Sequence, residues 1–422
     1  MLSSCPLADE VRSYLLFSAL MSEQVVHQRS RGFICTNAHP KGCAAVVDRQ
    51  IQAVTGSPLR GSSGPRRALV IGASTGYGLS SRIALAWGFG AKTLGVYFER
   101  EPAGKRTATA GFYNTAAMQD RAAQDGLWAH GINGDAFSDD VKAQTAERIR
   151  SELGQVDIVL YSLASPKRTD PRTGITYSSV LKTLGEPYVN RSIDLSTGQV
   201  GEAVIEPATE EEAAATVKVM GGEDWTWWMD KLLADNLLAP GARTLAYSYL
   251  GPELTWPMYR AGTIGAAKKD LEAAAKKLSA RLAAAVGGDA WVAVNKAVVT
   301  QASSAIPVLP LYISLLFKVM KAKGLHEDCI EQMRRLCLDH LADGKVPHTD
   351  AQRLIRLDDL ELREDVQQEV AALWPQVTTE NLRQISDFDG FQLAFNQLFG
   401  FDVEGVDYDQ PVETEIAIVN PA

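Results

Sequence analysis

The sequence predicts an α/β fold, a doubly wound parallel sheet with helices on both faces. Three observations predict it. Short apolar runs alternate with helical patterns between about residues 66 and 162. The first run, Arg67–Ile71, passes straight into Gly72-Ala-Ser-Thr-Gly76-Tyr-Gly78 and then into a helical stretch, Leu79–Trp87. The second run, Thr93–Phe98, ends at the acidic Glu99. Strand, glycine loop, helix and a second strand closed by a carboxylate form the Rossmann-type order that holds a dinucleotide.

Each element has its own reason. Gly72 permits a tight turn, Gly76 lets the backbone approach a pyrophosphate, and Gly78 lets the helix sit close to the sheet. The helix N-terminus offers unpaired N–H groups to the phosphates. Ala73, Ser74, Thr75 and Tyr77 complete that loop. The Glu99 carboxylate accepts hydrogen bonds from a ribose 2′-OH and repels a 2′-phosphate, so NADH is expected over NADPH. Arg100, the next residue, could pair with a 2′-phosphate and opposes that reading.

Further along, Ala116–Asp125 and Val141–Leu153 read as helices, and Trp128–Asn133 and Val156–Tyr161 as strands. Carboxyl ends of strands line the ligand crevice in such a sheet. This places Asp135 and Ala136, after the third strand, near the adenine. The stretch 167–208, rich in Thr, Gly and Pro, predicts a hairpin-containing excursion over the substrate side. Thr209, with Glu212 three residues later, predicts a capping box opening a helix to Met220. Trp225, Trp227 and Trp228 are expected in the core. Thr244–Leu250 and Trp291–Thr300 read as core strands around a helix over Gly265–Ala285. The apolar stretch Gln301–Phe317 fits a core helix that also borders a pocket. The part beyond Glu327 is expected to be mostly helical, ending in a polar tail, with the phenylalanines of 387–409 as packing anchors.

Composition narrows the function. A net charge of −9 without any basic run argues against nucleic acid as a partner. The longest apolar candidate for a membrane span, Ile306–Phe317, is too short and carries two prolines. Five irregularly spaced cysteines fit a reducing compartment, the cytoplasm. Cys35, His39 and Cys43 have no matching second cluster, so no metal is expected. Residues 14–20 are apolar but lack a basic segment before them, and are read as part of an N-terminal extension.

The chemistry is carried by Tyr259 and Lys268, separated by eight residues and downstream of the nucleotide loop. A phenol can hydrogen-bond a carbonyl oxygen as negative charge develops there, and an ammonium can hold the cofactor ribose.

Taken together, these segments resemble the FabV-type trans-2-enoyl-acyl-carrier-protein reductases and the related trans-2-enoyl-CoA reductases of the short-chain dehydrogenase/reductase superfamily. The resemblance runs from about His27 to Gln410. It rests on Arg31-Gly-Phe-Ile-Cys35, Ala38-His-Pro40, the Gly72–Gly78 loop, Asn133-Gly-Asp-Ala-Phe137, Tyr161-Ser-Leu-Ala-Ser-Pro166 and Val219-Met-Gly-Gly-Glu-Asp-Trp225. Ala246-Tyr-Ser-Tyr249, Tyr259 with Lys268, Val299-Thr-Gln-Ala-Ser-Ser304 and Asp407-Tyr-Asp409 complete it.

The resemblance implies an NADH-dependent enoyl-thioester reductase of fatty acid synthesis, a monomer that acts on acyl-carrier-protein or CoA thioesters. It implies Tyr259 as catalytic acid, Lys268 as the cofactor-holding lysine and Tyr249 as a substrate-contacting tyrosine. Phe98, Glu99, Asp135, Ala136, Leu163, Ala164, Val298, Val299 and Thr300 are implied as NADH contacts. Arg260 departs from the pattern, since relatives often carry tryptophan there. One enoyl reductase domain is expected over 25–410, with a Rossmann core over about 66–325, an enlarged substrate-covering portion and a helical C-terminal part over about 326–400. An extension over 1–24 and a tail over 411–422 flank it. The alternatives are a 3-oxoacyl or ketone reductase on the same scaffold, and a non-catalytic NAD-binding module.

Overall fold

The structure, a computed structural model, describes residues 23–31 and 34–418. Most of the expected N-terminal extension lies outside the described residues, as does Phe33 of a short entry strand that the sequence suggests around Phe33-Ile34-Cys35.

A seven-stranded parallel sheet organises the chain. Its strands are β1 (Arg67–Ile71), β2 (Lys92–Tyr97), β3 (Ala129–Asn133), β4 (Val156–Tyr161), β5 (Leu238–Ser248), β6 (Asp289–Val294) and β7 (Leu354–Arg356). The spatial order is β7-β6-β5-β4-β1-β2-β3. Ile71 pairs with Val96 on one side and with Tyr161 on the other. The order reverses between β1 and β4, so a crevice opens there beyond the strand ends.

Alternate strand residues feed two core layers, as the two-residue period requires. Ala68, Val70, Ile158 and Leu160 enter one layer. Leu69, Ile71, Val159 and Tyr161 enter the other, with Trp225 and Trp228. Both of these indoles are fully buried. Trp225 donates to Thr244 Oγ1 at 2.9 Å and Trp228 to the Ala136 carbonyl at 3.1 Å. Trp227 instead lies under the guanidinium groups of Arg168 and Arg172.

The helices that position the site are α1 (Gly76–Ile83), α2 (Glu210–Met220), α3 (Trp256–Tyr259), α4 (Thr263–Val286), α5 (Gln301–Ser304), α6 (Leu309–Ala322) and α7 (Glu364–Leu373). The Thr209 and Glu212 capping box is formed at the start of α2. The excursion holds two hairpins, 167–178 and 188–205. A third apolar cluster joins Tyr259, α6 and Phe388, Phe391, Phe395, Phe399 and Phe401. No described helix is long and apolar enough to cross a membrane.

The structure corrects several boundaries. The sixth strand stops at Val294, not Thr300. Its ladder ends where the Asn295 amide meets the Ser248 carbonyl, and 295–300 continue as irregular, largely buried chain. β7 was hidden in a region expected to be helical, because three residues are too few to show a period. Val412–Glu413 pairs with Glu23–Gln24, which ties the first described segment to one near residue 412. The helix predicted over 116–125 begins at Ala110, where Gly111 and two aromatics weaken the helical signal.

Candidate active site

The nucleotide loop is shaped by what its glycines exclude. Gly72 has φ +81°, and a Cβ on it would overlap the Ser162 carbonyl oxygen. A Cβ on Gly78 would overlap the Gly72 carbonyl oxygen, so the start of α1 lies hard against the turn. Gly76 is different. It has φ +51°, and a Cβ there would meet nothing closer than Thr300 Cγ2 at 3.9 Å. Its open side is where a pyrophosphate has room, in front of the first N–H groups of α1. Thr75 makes no side-chain cap to that helix, which leaves those donors available.

The second strand delivers Glu99. Its Oε1 accepts from Ser74 Oγ at 2.6 Å, and its backbone exchanges two hydrogen bonds with the Asn133 side chain. A Cβ on Gly111 would overlap the same carboxylate. Glu99 is therefore fixed beside Ser74, and its Oε2 has no partner among the described residues. Phe98 is 76% exposed, a flat apolar face at the crevice edge. Asp135 Oδ1 accepts from the Phe137 amide at 2.9 Å. The Ala136 carbonyl is held by Lys142 at 3.0 Å and by Trp228. Leu163 and Ala164 follow β4 directly. Val298 and Val299 are buried, and Thr300 caps α5 by accepting from Ser303. Tyr77 donates to the Lys296 carbonyl at 2.7 Å, which ties the glycine loop to this segment. These groups fit a dinucleotide: an open glycine, free helix donors and a fixed carboxylate.

The chain between Tyr259 and Lys268 does not run as one helix. Nine positions along one continuous helix, at about 100° each, would put the two side chains on opposite faces. The chain breaks instead. Tyr259 ends α3, residues 260–262 turn, and α4 starts at Thr263. Thr263 Oγ1 donates to the Val180 carbonyl at 2.6 Å, and its amide to Lys182 at 3.0 Å, clamping the break to the excursion. Gly265 has no room for a Cβ beside the Tyr259 and Arg260 carbonyls, so α4 tucks against the turn that carries Tyr259. Arg260 lays its guanidinium over Trp256 at 4.6 Å.

The Tyr259 ring is 6% exposed and meets Tyr249 edge-on, with ring centroids 4.8 Å apart. Its hydroxyl has no hydrogen-bond partner among the described residues. Burial first, and then the negative charge of Glu361, push the phenol well above its ordinary range, so it stays protonated. Lys268 Nζ donates to the Tyr247 carbonyl at 3.4 Å. Burial lowers its ammonium to about 8, against the support of Glu272. A cavity of about 570 Å³ lies against the break, walled by Leu250, Trp256, Arg260, Lys268, Gln367 and Trp374.

Sequence reasoning missed the groups behind the tyrosines. Tyr249 donates to Glu361 Oε1 at 3.0 Å, and Tyr312 donates to the same oxygen at 2.7 Å. Lys296 is buried beside them. Glu361 stands in a run, Arg356–Asp365, that reads as solvated surface, so no local signal marks it. His39 is a structural cap: its Nδ1 accepts from the Gly42 amide at 3.1 Å, and burial lowers it to about 4. No cluster of metal-ligating side chains occurs among the described residues.

A glycine loop of dinucleotide-binding shape at the switch point of a seven-stranded parallel sheet marks a nicotinamide-dependent oxidoreductase of the Rossmann class. Comparison with known proteins narrows this. The family model of the trans-2-enoyl-CoA reductase catalytic region matches residues 106–342, and that of its NAD(P)H binding domain matches 25–104. The chain belongs to the trans-2-enoyl-CoA reductase family. It is 53% identical over 395 residues to an enoyl-[acyl-carrier-protein] reductase [NADH] of Opitutus terrae, covering 94% of this chain and 100% of that one. A trans-2-enoyl-CoA reductase of Treponema denticola, solved with NAD, superposes with a TM-score of 0.90 at 47% identity, covering 94% of this chain and 100% of that one. The corresponding Clostridium acetobutulicum enzyme, solved with NADH, gives 0.90 at 40% identity, covering 93% and 98%.

A third model, described as an enoyl reductase FAD binding domain, matches 349–412. The residues there do not fit that group. α7 opens with Glu364 and Asp365, and the helix Phe388–Gln397 opens with Asp387 and Asp389. Asp387 already takes the Gly390 amide. Carboxylates at both helix N-termini repel a pyrophosphate rather than hold one.

Proposed function

We propose that this protein reduces the trans-2 double bond of an enoyl thioester with NADH, in fatty acid synthesis. The observation that carries the reading is the buried Tyr259, whose ring meets Tyr249 and whose hydroxyl has no partner among the described residues, downstream of a complete dinucleotide loop. When bound, NADH supplies a hydride to the β-carbon. The thioester oxygen then becomes an enolate oxygen. Tyr259 donates a hydrogen bond to it, a contact that strengthens as charge builds. Lys268 presents its ammonium to the cofactor ribose and keeps the local potential positive. Tyr249 contacts the substrate. A proton from solvent, taken directly or through Tyr259, adds at the α-carbon and completes the saturated acyl thioester.

The cofactor set is Gly72 to Tyr77, Phe98, Glu99, Asp135, Ala136, Leu163, Ala164, Val298, Val299 and Thr300. Glu99, anchored by Ser74, takes the ribose hydroxyl and disfavours a 2′-phosphate. The substrate arrives on acyl-carrier protein or CoA, which share a phosphopantetheine arm, and the enzyme acts as a cytoplasmic monomer over the single domain 25–410. The test is NADH and NADPH oxidation measured in parallel with crotonyl-CoA and with an enoyl-carrier-protein thioester. NADH-dependent turnover of an enoyl thioester supports the reading. Absence of turnover with either carrier rejects it.

A further inference from the structure

Glu361 is fully buried, and three hydrogen-bond donors converge on its carboxylate. Oε2 accepts from the Ala297 amide at 2.7 Å. Oε1 accepts from Tyr249 and from Tyr312. The Tyr312 oxygen also accepts from Gln367 Nε2 at 3.1 Å, and its own O–H donates to Glu361. A backbone amide can only donate, so Oε2 acts as an acceptor. Three donors converging on one carboxyl suit its ionised form, which can accept at both oxygens.

The groups facing Glu361 come from every packed element. Lys296, whose Nζ donates to the Ala297 carbonyl at 2.8 Å, supplies positive charge after β6. Tyr312 comes from α6, Tyr249 from the end of β5, Tyr259 from α3, and Asp358 from the same loop as Glu361. Burial pushes the carboxyl up, and Lys296 leads the groups that oppose it.

We propose that Glu361 is the positioning residue of the tyrosine pair: it takes the Tyr249 proton in a hydrogen bond, leaving Tyr249 only lone pairs to offer a substrate and making Tyr259 the single phenolic donor. The same carboxylate grips Ala297, whose neighbours Val298 to Thr300 belong to the cofactor set. One buried group thus fixes the tyrosine pair relative to the nicotinamide side of the crevice. This assignment rests on Tyr259 acting as donor to the thioester oxygen.

A double-mutant cycle tests it, because residues that act through one another are non-additive. Glu361→Gln keeps the shape but cannot accept from both tyrosines and the amide together. It should lower kcat by about tenfold, as for loss of a charge-assisted hydrogen bond, with the NADH dissociation constant little changed. Combined with Tyr249→Phe, it should add less than about twofold to the loss from Tyr249→Phe alone. A merely structural carboxylate would lower the melting temperature and multiply the losses, and multiplied losses overturn the proposal. If Glu361→Gln does not fold, Glu361→Asp keeps the charge beside Lys296 but cannot span Ala297 and Tyr249. The same non-additivity with Tyr249→Phe is then expected, and multiplied losses again overturn it. Tyr259→Phe, run alongside, separates the two ideas: normal turnover there rejects the donor role itself, whereas lost turnover with an additive cycle rejects only Glu361.

Discussion

The nucleotide loop and the tyrosine cluster are built in opposite ways. The loop is one contiguous segment, 72–78, in which Gly72 and Gly78 have a steric reason in close backbone neighbours and Gly76 a positive φ with open space beside it. The cluster draws Tyr249, Tyr259, Ala297, Tyr312 and Glu361 from five places along 113 positions of chain (249 to 361). A local motif binds a cofactor that many chemistries share. A site assembled from distant segments sets which chemistry follows, because only the whole fold brings those groups together.

Substitutions can sharpen that contrast by asking whether chemistry and cofactor binding separate. Tyr259→Phe should give the largest effect, a fall in turnover of roughly two orders of magnitude or more, as for loss of an oxyanion donor. The NADH dissociation constant, measured by fluorescence titration, should stay close to that of the parent. Lost NADH binding in this variant would erase the distinction between the two regions.

Lys268 is proposed to serve both regions. Lys268→Ala should reduce turnover by about tenfold or more and weaken NADH as well; unchanged NADH affinity would remove the lysine from the ribose. Its ammonium is lowered to about 8, so the charge is present below that pH and lost above it. In the parent protein, kcat/KM should therefore decline as pH rises through about 8. A rate that is flat well beyond that point would contradict a role for the charged form.

The smallest effect belongs wholly to the loop. Glu99→Ala removes the carboxylate anchored by Ser74 and should narrow the preference for NADH over NADPH by several-fold, roughly the worth of one charged contact. Turnover at saturating NADH should barely move. A parent protein that already prefers NADPH would show that Arg100, exposed and without an ion pair among the described residues, governs the ribose site instead.

Legibility in the sequence follows the same division. The glycine loop, the alternating strands and the capping box at Thr209 were readable because their causes lie within a few residues. Tyr259 and Lys268 were readable as a pair, but not their presentation. The helix break between them depends on contacts with Val180 and Lys182, some eighty residues away. Glu361 was unreadable, since a charged run predicts solvent and only the partners at Ala297, Tyr249 and Tyr312 make its burial tolerable. β7 escaped for a related reason: Leu354–Arg356 is strand only because Val292–Val294 pairs with it.

Hydride delivery to the β-carbon is tested most directly by following the transferred atom. The protein would be supplied with NADH deuterated at nicotinamide C4 and with crotonyl thioester, and the label located in the product by mass spectrometry and NMR. The account predicts a saturated acyl thioester carrying deuterium on its β-carbon. Product without deuterium at that carbon, or transfer only when a 3-oxoacyl thioester is offered, would contradict it.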